Sequence, residues 1–381
     1  MSPSSPPQRS SARAGKGPGG RHTHSSRKKN KKKKSLRWML NLILLLLVIM
    51  AGTAVWMSET PSGSHFRYSV ADTLITTQHR RWAKYILGQE GLDRRIAEYN
   101  ERFNQMGTEK DTHQIQIPGA VQTAAGKKDL VEIEEVSGKG YHGYIMTVND
   151  PKSIRLGIPG KAGKGEHVSS MAKRLGAVAG VNGGGFADPN WSGNGFKPIG
   201  VVISQGQLYY NGLDGKKSTQ IVGIDKQGKM IAGNYTLSEL SKLQVQEAVT
   251  FQPRLIVNGK GLIRSASEGW GIAPRTAMGQ RADGAILFVV IDGRQPGYSI
   301  GANLYDIQNI LLKHGAVIAA NLDGGSSSVL VKDNEIVNRP SSEYGERYLP
   351  TAFLVFEHPE DIQIPNIWSG MRSQDIDPAK K

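Results

Sequence analysis

An acid, two glycines and three hydroxyls separate two apolar runs in Asn321-Leu322-Asp323-Gly324-Gly325-Ser326-Ser327-Ser328. Ala316-Val317-Ile318-Ala319-Ala320 precedes them and Val329-Leu330-Val331 follows at once. A buried strand ending this way presents one carboxylate beside backbone that can approach a ligand closely, because glycine has no Cβ in the way. N–H groups, hydroxyls and a charge can then surround a small polar target.

Other apolar runs end in similar chemistry. Asn182-Gly183-Gly184-Gly185-Phe186 follows Ala177–Val181, and Asp292-Gly293-Arg294 follows Ala285–Ile291. Pro274-Arg275-Thr276-Ala277-Met278-Gly279 lies between them. Taken singly, each is ordinary turn chemistry. Together they combine Gly-rich turns, whose consecutive N–H groups form anion-binding concavities, with Arg275 and Arg294, which suit bidentate phosphate binding. Several better-known patterns match by letter and fail by context. The GxGxxG at 138–143 leads into an alternating β pattern and reads as a hairpin turn. Residues 160–165 lack phosphate-loop spacing, and Ser170-Met171-Ala172-Lys173 has no companion motif. The nine histidines show no paired ligand spacing, so no zinc site is expected.

The surviving set resembles the phosphodiester glycosidase family, that of the N-acetylglucosamine-1-phosphodiester α-N-acetylglucosaminidases. The matching positions are VNGGGF (181–186), KPIGVVISQGQL (197–208), PRTAMG (274–279), VIDGR (290–294) and NLDGGSSS (321–328), within a region of about 130–358. Ser326 stands where the family commonly has a third glycine. The resemblance implies a glycosidase that hydrolyses sugar-1-phosphodiester linkages, here in a cell-wall polymer or exopolysaccharide. The alternative is a non-catalytic envelope protein that binds phosphorylated glycans or assists exopolysaccharide assembly.

Glycosidic cleavage usually needs two carboxyl groups flanking the bond. Asp323 is expected to lead, with Glu346 or Asp292 as its partner, while Arg347 also suits an internal ion pair. Phosphate leaves more readily than a sugar hydroxyl, so charge stabilisation by arginine carries weight. Arg275 and Arg294 are expected to hold phosphate. Asn182, Gly183, Gly184, Gly185, Asn321, Gly324, Gly325 and Ser326 are expected to fix sugar or phosphate. No cofactor or catalytic metal is expected, and a structural Ca²⁺ on oxygen-rich turns stays open.

These residues need elements to position them. The chain has 381 residues, no cysteine and a formal charge of +15. Residues 1–37 hold twelve Lys or Arg and no acid, leaving 36 basic against 33 acidic residues elsewhere. The charge thus belongs to a tail, expected to be disordered and cytoplasmic, and nucleic acid is not the expected partner. Trp38 to Met57 carries no formal charge and is long enough for a ~30 Å hydrocarbon core. Basic residues flank only its N-terminal end, which places the remainder outside the cell membrane. A cleaved signal peptide is the competing reading, and the span exceeds a usual signal core. Disulfide-free export suits a bacterial surface.

Residues 58–129 read as a juxtamembrane stalk, with an amphipathic helix over Leu74–Met106 broken near Gly88 or Gly91 and a loop over 114–128. From 130 to 358 the pattern predicts an α+β, β-rich single catalytic domain with mixed or antiparallel sheets and few helices. Its clearest helix lies within Ile300–His314. Residues 359–381 read as a polar tail. Oligomeric state is not legible.

Overall fold

Runs of β-branched and aliphatic residues separated by Gly-containing turns build three antiparallel sheets. The computed structural model describes residues 26–75, 77, 79–116, 129–189, 193–343 and 345–379, with side chains from Ser35 onward. Residues up to Ser64 form one compact unit and His65–Lys381 a second.

The first unit is dominated by the helix Ser26–Glu59. Ser35–Glu59 is the one stretch among the described residues long and apolar enough to cross a membrane, and none of its apolar core is buried in protein. The same length and composition fit a signal sequence. The helix starts well before Trp38, because lysine and arginine propagate a helix well once an apolar stretch has nucleated it. The part of the tail expected to be disordered that precedes Ser26 lies outside the described residues.

In the second unit, the largest sheet has seven strands in the spatial order Val131–Gly138, Tyr141–Val148, Ile286–Ile291, Arg275–Arg281, Ala316–Leu322, Arg254–Val257 and Lys260–Gly261. The second has five, in the order Glu335–Ile336, Leu330–Lys332, Ala179–Asn182, Ala352–Val355 and Ile154–Gly157. The third also has five, in the order Gln207–Gly212, Gly200–Ser204, Val245–Thr250, Ser218–Asp225 and Met230–Thr236. Every pairing is antiparallel, so the "mixed" option falls away.

One apolar core joins all three sheets, contributed by Phe288 and Ile318 from the first, Val181 and Phe353 from the second, and Val222 and Val249 from the third. The opposite face of the largest sheet is covered by the helix Leu304–Lys313, whose Asn303 and Asp306 form a reciprocal N-terminal cap. The helix Val168–Leu175 covers the second sheet and ends at Gly176, which takes a left-handed conformation.

The stalk packs on the domain: Tyr99 and Phe103 of the helix Lys84–Met106 pack on Trp270, and the Arg95 guanidinium is paired with buried Asp72. Gly88 carries the expected break, at φ 74° and ψ 167°. Residues 117–128 of the expected loop lie outside the described residues. The C-terminal segment is not a free polar tail. Ile364, Trp368 and Ile376 are buried in the central core, and the Trp368 indole N–H donates to the Phe196 carbonyl. Its polar composition hides a few well-spaced apolar anchors.

The sheets are also tied by a buried carboxyl group. Glu247, on Val245–Thr250, accepts from the backbone N–H of Leu156 at 3.0 Å and of Gln205 at 3.2 Å. Burial pushes its pKa up to about 8, against those hydrogen bonds and the nearby Arg155. Glu247→Ala leaves two backbone donors orphaned, at about 1–3 kcal/mol each. We expect urea titration to show that loss, and Glu247→Gln, which still presents an acceptor, to cost less than Glu247→Ala.

Candidate active site

The strand ends Asn182 and Leu322 come together where the first and second sheets meet, and a side-chain amide fixes them. Asn182 is wholly buried. Its Oδ1 accepts from Thr276 Oγ1 at 2.8 Å and from the Val329 N–H at 3.1 Å, and its Nδ2 donates to the Asp323 carbonyl. The Asp323 N–H donates to the Gly183 carbonyl at 3.2 Å and the Gly325 N–H to the Pro274 carbonyl at 2.8 Å. Gly325 has a φ of 63°, which lets the chain turn into a short 3-10 segment at Gly325–Ser327.

This turn forms one wall of a cleft of about 1040 Å³. Asp323, Gly324, Gly325, Ser326 and Ser327 line it, facing Arg294, Glu346 and Arg347. The cleft also draws in Asp188, His167, Lys164 and the ring of Tyr348, together with Thr77 and His79 from the segment after the first helix of the domain.

Asp323 is half-buried as a residue, but its Oδ2 is shielded from solvent and has no hydrogen-bond partner. Burial pushes its pKa up to about 6, moderated by the Ser327 hydroxyl and the charge of Arg347. It therefore exchanges a proton near neutrality.

The two cleft arginines differ. Arg347 forms an ion pair with Asp188, in which both side chains are largely buried, and its guanidinium lies 4.8 Å from the Phe186 ring centroid. It also donates to Ser326 Oγ at 3.4 Å. Arg294 sits at a left-handed φ of 61°, its N–H donates to the Ile300 carbonyl at 3.0 Å, and its guanidinium makes no hydrogen bond or ion pair among the described residues. A Cβ built on Gly325 would lie 3.1 Å from its Nη2, so the guanidinium rests close over the glycine turn. The Arg294 side chain is open to the cleft, yet the surrounding protein and the charge of Arg347 hold its pKa below the ordinary arginine value. Arg347 thus has a carboxylate within ion-pair distance, whereas the Arg294 guanidinium has none among the described residues.

The structure brings Asp323, Glu346, Arg294, Gly324, Gly325 and Ser326 to the cleft and leaves the other expected residues outside it. Arg275 is buried and donates to the carbonyls of Trp270, Gly271 and Ala302. Burial and the charge of Arg294 bring its pKa down to about 9. Gly183, Gly184 and Gly185 are buried against Thr351, Val249 and Phe251, where any side chain would collide. Asn321 is also buried and donates to the Gln252 carbonyl.

Asp292 accepts from Asn338 Nδ2 at 2.8 Å, the Arg339 N–H at 2.9 Å and the Tyr298 hydroxyl at 3.0 Å. Burial raises its pKa despite those bonds. It holds the loop carrying Arg294 without lining the cleft. Glu346 does line it, but accepts from the Ser169 N–H and hydroxyl at the start of the helix Val168–Leu175. That is a favourable place for a carboxylate. Asp188, His167 and the stalk residues Thr77 and His79 carried no signal in the sequence, because none belongs to a Gly-rich strand end, and Lys164 lies in the 160–165 segment set aside for its spacing.

Comparison with known proteins converges on one family. Residues 175–356 match the family model for phosphodiester glycosidase. The SPbeta prophage-derived uncharacterized protein YomE of Bacillus subtilis (strain 168) is 28% identical over 219 residues, covering 56% of this chain and 32% of that protein. The N-acetylglucosamine-1-phosphodiester alpha-N-acetylglucosaminidase of Bos taurus is 24% identical over 257 residues, covering 60% of this chain and 46% of the relative. The chain thus spans less than half the length of these curated relatives. Among solved structures, the catalytic domain of the zebrafish N-acetylglucosamine-1-phosphodiester alpha-N-acetylglucosaminidase, auto-inhibited by its pro-peptide, shares the fold. Its TM-score is 0.54 at 22% identity, covering 66% of this chain and 90% of that one. The strand-end motifs and the three-sheet fold agree with the family match, so residues 175–356 are similar to the phosphodiester glycosidase domain.

Proposed function

We propose that this protein is a membrane-anchored extracellular glycosidase that hydrolyses sugar-1-phosphodiesters of the N-acetylglucosamine-1-phosphate type in an envelope polymer or exopolysaccharide. The observation that carries the reading is the convergence of Asp323 with Arg294 and Arg347 on one cleft. A phosphodiester is an anion, and an arginine without an ion-pair partner is a ready donor to it. Phosphate leaves as a stabilised anion, so the guanidinium groups take up the charge that develops on its oxygens. Asp323, ionised above about pH 6, faces the anomeric carbon as nucleophile or as base toward water. Glu346 is the second cleft carboxylate, its position set by Ser169. The chemistry calls for no cofactor. The unburied apolar helix Ser35–Glu59, with the lysine and arginine cluster at its N-terminal side and only Arg67 in the twenty residues after it, supports the anchor and the outside address.

Three outcomes test this reading. Asp323→Asn should fold and lose about 10²–10⁴ in kcat on an N-acetylglucosamine-1-phosphodiester, followed as free sugar. Sugar release at the wild-type rate by that variant would contradict the assignment. If neither protein releases sugar from a panel of such diesters yet both bind them, the glycan-binding alternative stands.

The pH dependence has a definite sign. Because Asp323 has a folded pKa above its unfolded value, the folded state holds its proton more tightly. The associated stability is complete at low pH and is lost as pH rises through about 6. The rate should rise over the same interval, and at pH 8 Asp323→Asn should melt above wild type.

The arginines should separate in the same assays. Arg294→Ala should raise KM about tenfold or more with little change in melting temperature. Arg347→Ala, which removes the ion-pair partner of the largely buried Asp188 carboxylate, should lower the melting temperature as well.

A further inference from the structure

The cleft continues onto a surface that the family match does not reach. Thr77 and His79 line it, although the match begins only at residue 175. The segment is held firmly. Thr77 Oγ1 donates to the Leu74 carbonyl, the His79 N–H donates back to Thr77 Oγ1, and Arg80 Nε donates to the Ile75 carbonyl. Ala83, in the 3-10 turn Arg80–Ala83, is wholly buried against Ala71, Ile75 and Leu92.

With Ala83 turned inward, its neighbours turn outward. Trp82 is 58% exposed and Tyr85 79% exposed. The His79 and Trp82 rings lie 4.6 Å apart at 33°, which gives a broad aromatic shelf beside the cleft mouth. Arg80, Arg81 and Lys84 are exposed on the same stretch, and residues 77–85 contain no acid. Arg81 makes no hydrogen bond or ion pair among the described residues. Exposed aromatic rings among cations that have no carboxylate partner among the described residues, running on from a cleft that holds Lys164, Arg294 and Arg347 as well as Asp188, Asp323 and Glu346, fit a ligand with alternating apolar faces and negative charges. The cleft volume of about 1040 Å³ is also at the upper end for a small-molecule site, generally ~300–1,000 Å³.

We propose that residues 79–85 form an outer subsite for an anionic glycan chain, so that the enzyme works on a polymer of sugar phosphates whose reacting linkage occupies the cleft. Sugar rings stack on Trp82 and His79, and successive phosphates lie along Arg80, Arg81 and Lys84. The subsite rests on the phosphodiester reading of the cleft and extends it from a linkage to a substrate class.

The test uses the full chain in neutral detergent micelles, with fluorescent poly(N-acetylglucosamine 1-phosphate) and the methyl diester of N-acetylglucosamine 1-phosphate as probes. The double variant Arg81→Ala/Trp82→Ala should weaken polymer binding about tenfold by fluorescence anisotropy and lower kcat/KM on the polymer to match. Its kcat/KM on the methyl diester should be unchanged, and Arg81→Lys/Trp82→Phe should restore most of the polymer affinity. Added salt should weaken polymer binding more in wild type than in the double variant.

Equal losses on both substrates, or none on either, would overturn the subsite. A faster variant would also do so, since the segment would then obstruct the cleft. Displacement of the polymer by phosphatidylglycerol in the micelles, with the double variant losing affinity for that lipid instead, would assign the surface to a membrane and overturn the proposal. If neither substrate is hydrolysed but the double variant still loses polymer affinity, the subsite stands and the catalytic reading falls.

Discussion

The site depends on one buried amide. Asn182 ends a strand of the second sheet, yet its side chain bonds to Thr276 of the first sheet, to the Asp323 carbonyl and to the Val329 N–H. Three short pieces of chain from distant parts of the sequence are thereby held in one geometry. An amide suits this junction because it both donates and accepts, and hydrogen bonds at its oxygen and its nitrogen make its burial tolerable. The glycines around it serve the same junction. Gly183 and Gly324 let backbones approach where a Cβ would meet Thr351 or the Pro274 carbonyl.

On that rigid base the electrostatics are left incomplete. Asp323 is shielded enough to titrate near pH 6, and Arg294 is placed without a counter-charge at a backbone conformation that non-glycine residues seldom adopt. Arg347 is balanced by Asp188 and so can stiffen the cleft without demanding a ligand. In the proposed function, a phosphodiester would supply a negative charge to Arg294. Stability is set aside at the place where binding needs it.

Much of this was legible in the sequence because strand ends leave a local mark. The turn at Asp323-Gly324-Gly325, the strand before it and the arginine after Asp292-Gly293 could all be read from apolar runs broken by glycine. The same mark misled at Arg275 and at Gly183-Gly184-Gly185, which look like ligand-binding groups and instead serve as buried scaffold. Periodicity and residue type do not tell whether a turn faces solvent or another sheet. Asp188, Lys164 and His167 were not legible, since they reach the cleft only through tertiary packing. The C-terminal segment was misread for a related reason: Trp368 alone contributes more packing than its polar neighbours suggest. The stalk showed its amphipathic helix and its break at Gly88, but not that its preceding turn borders the cleft.

The central claim is that Arg294 and Arg347 hold a phosphate while Asp323 faces the anomeric carbon. A crystal structure of Asp323→Asn with an N-acetylglucosamine-1-phosphodiester tests it most directly. The account predicts the phosphate between the two guanidinium groups, with the anomeric carbon about 3–3.5 Å from residue 323. A phosphate seated away from both arginines, or a sugar whose anomeric carbon points away from residue 323, would contradict it.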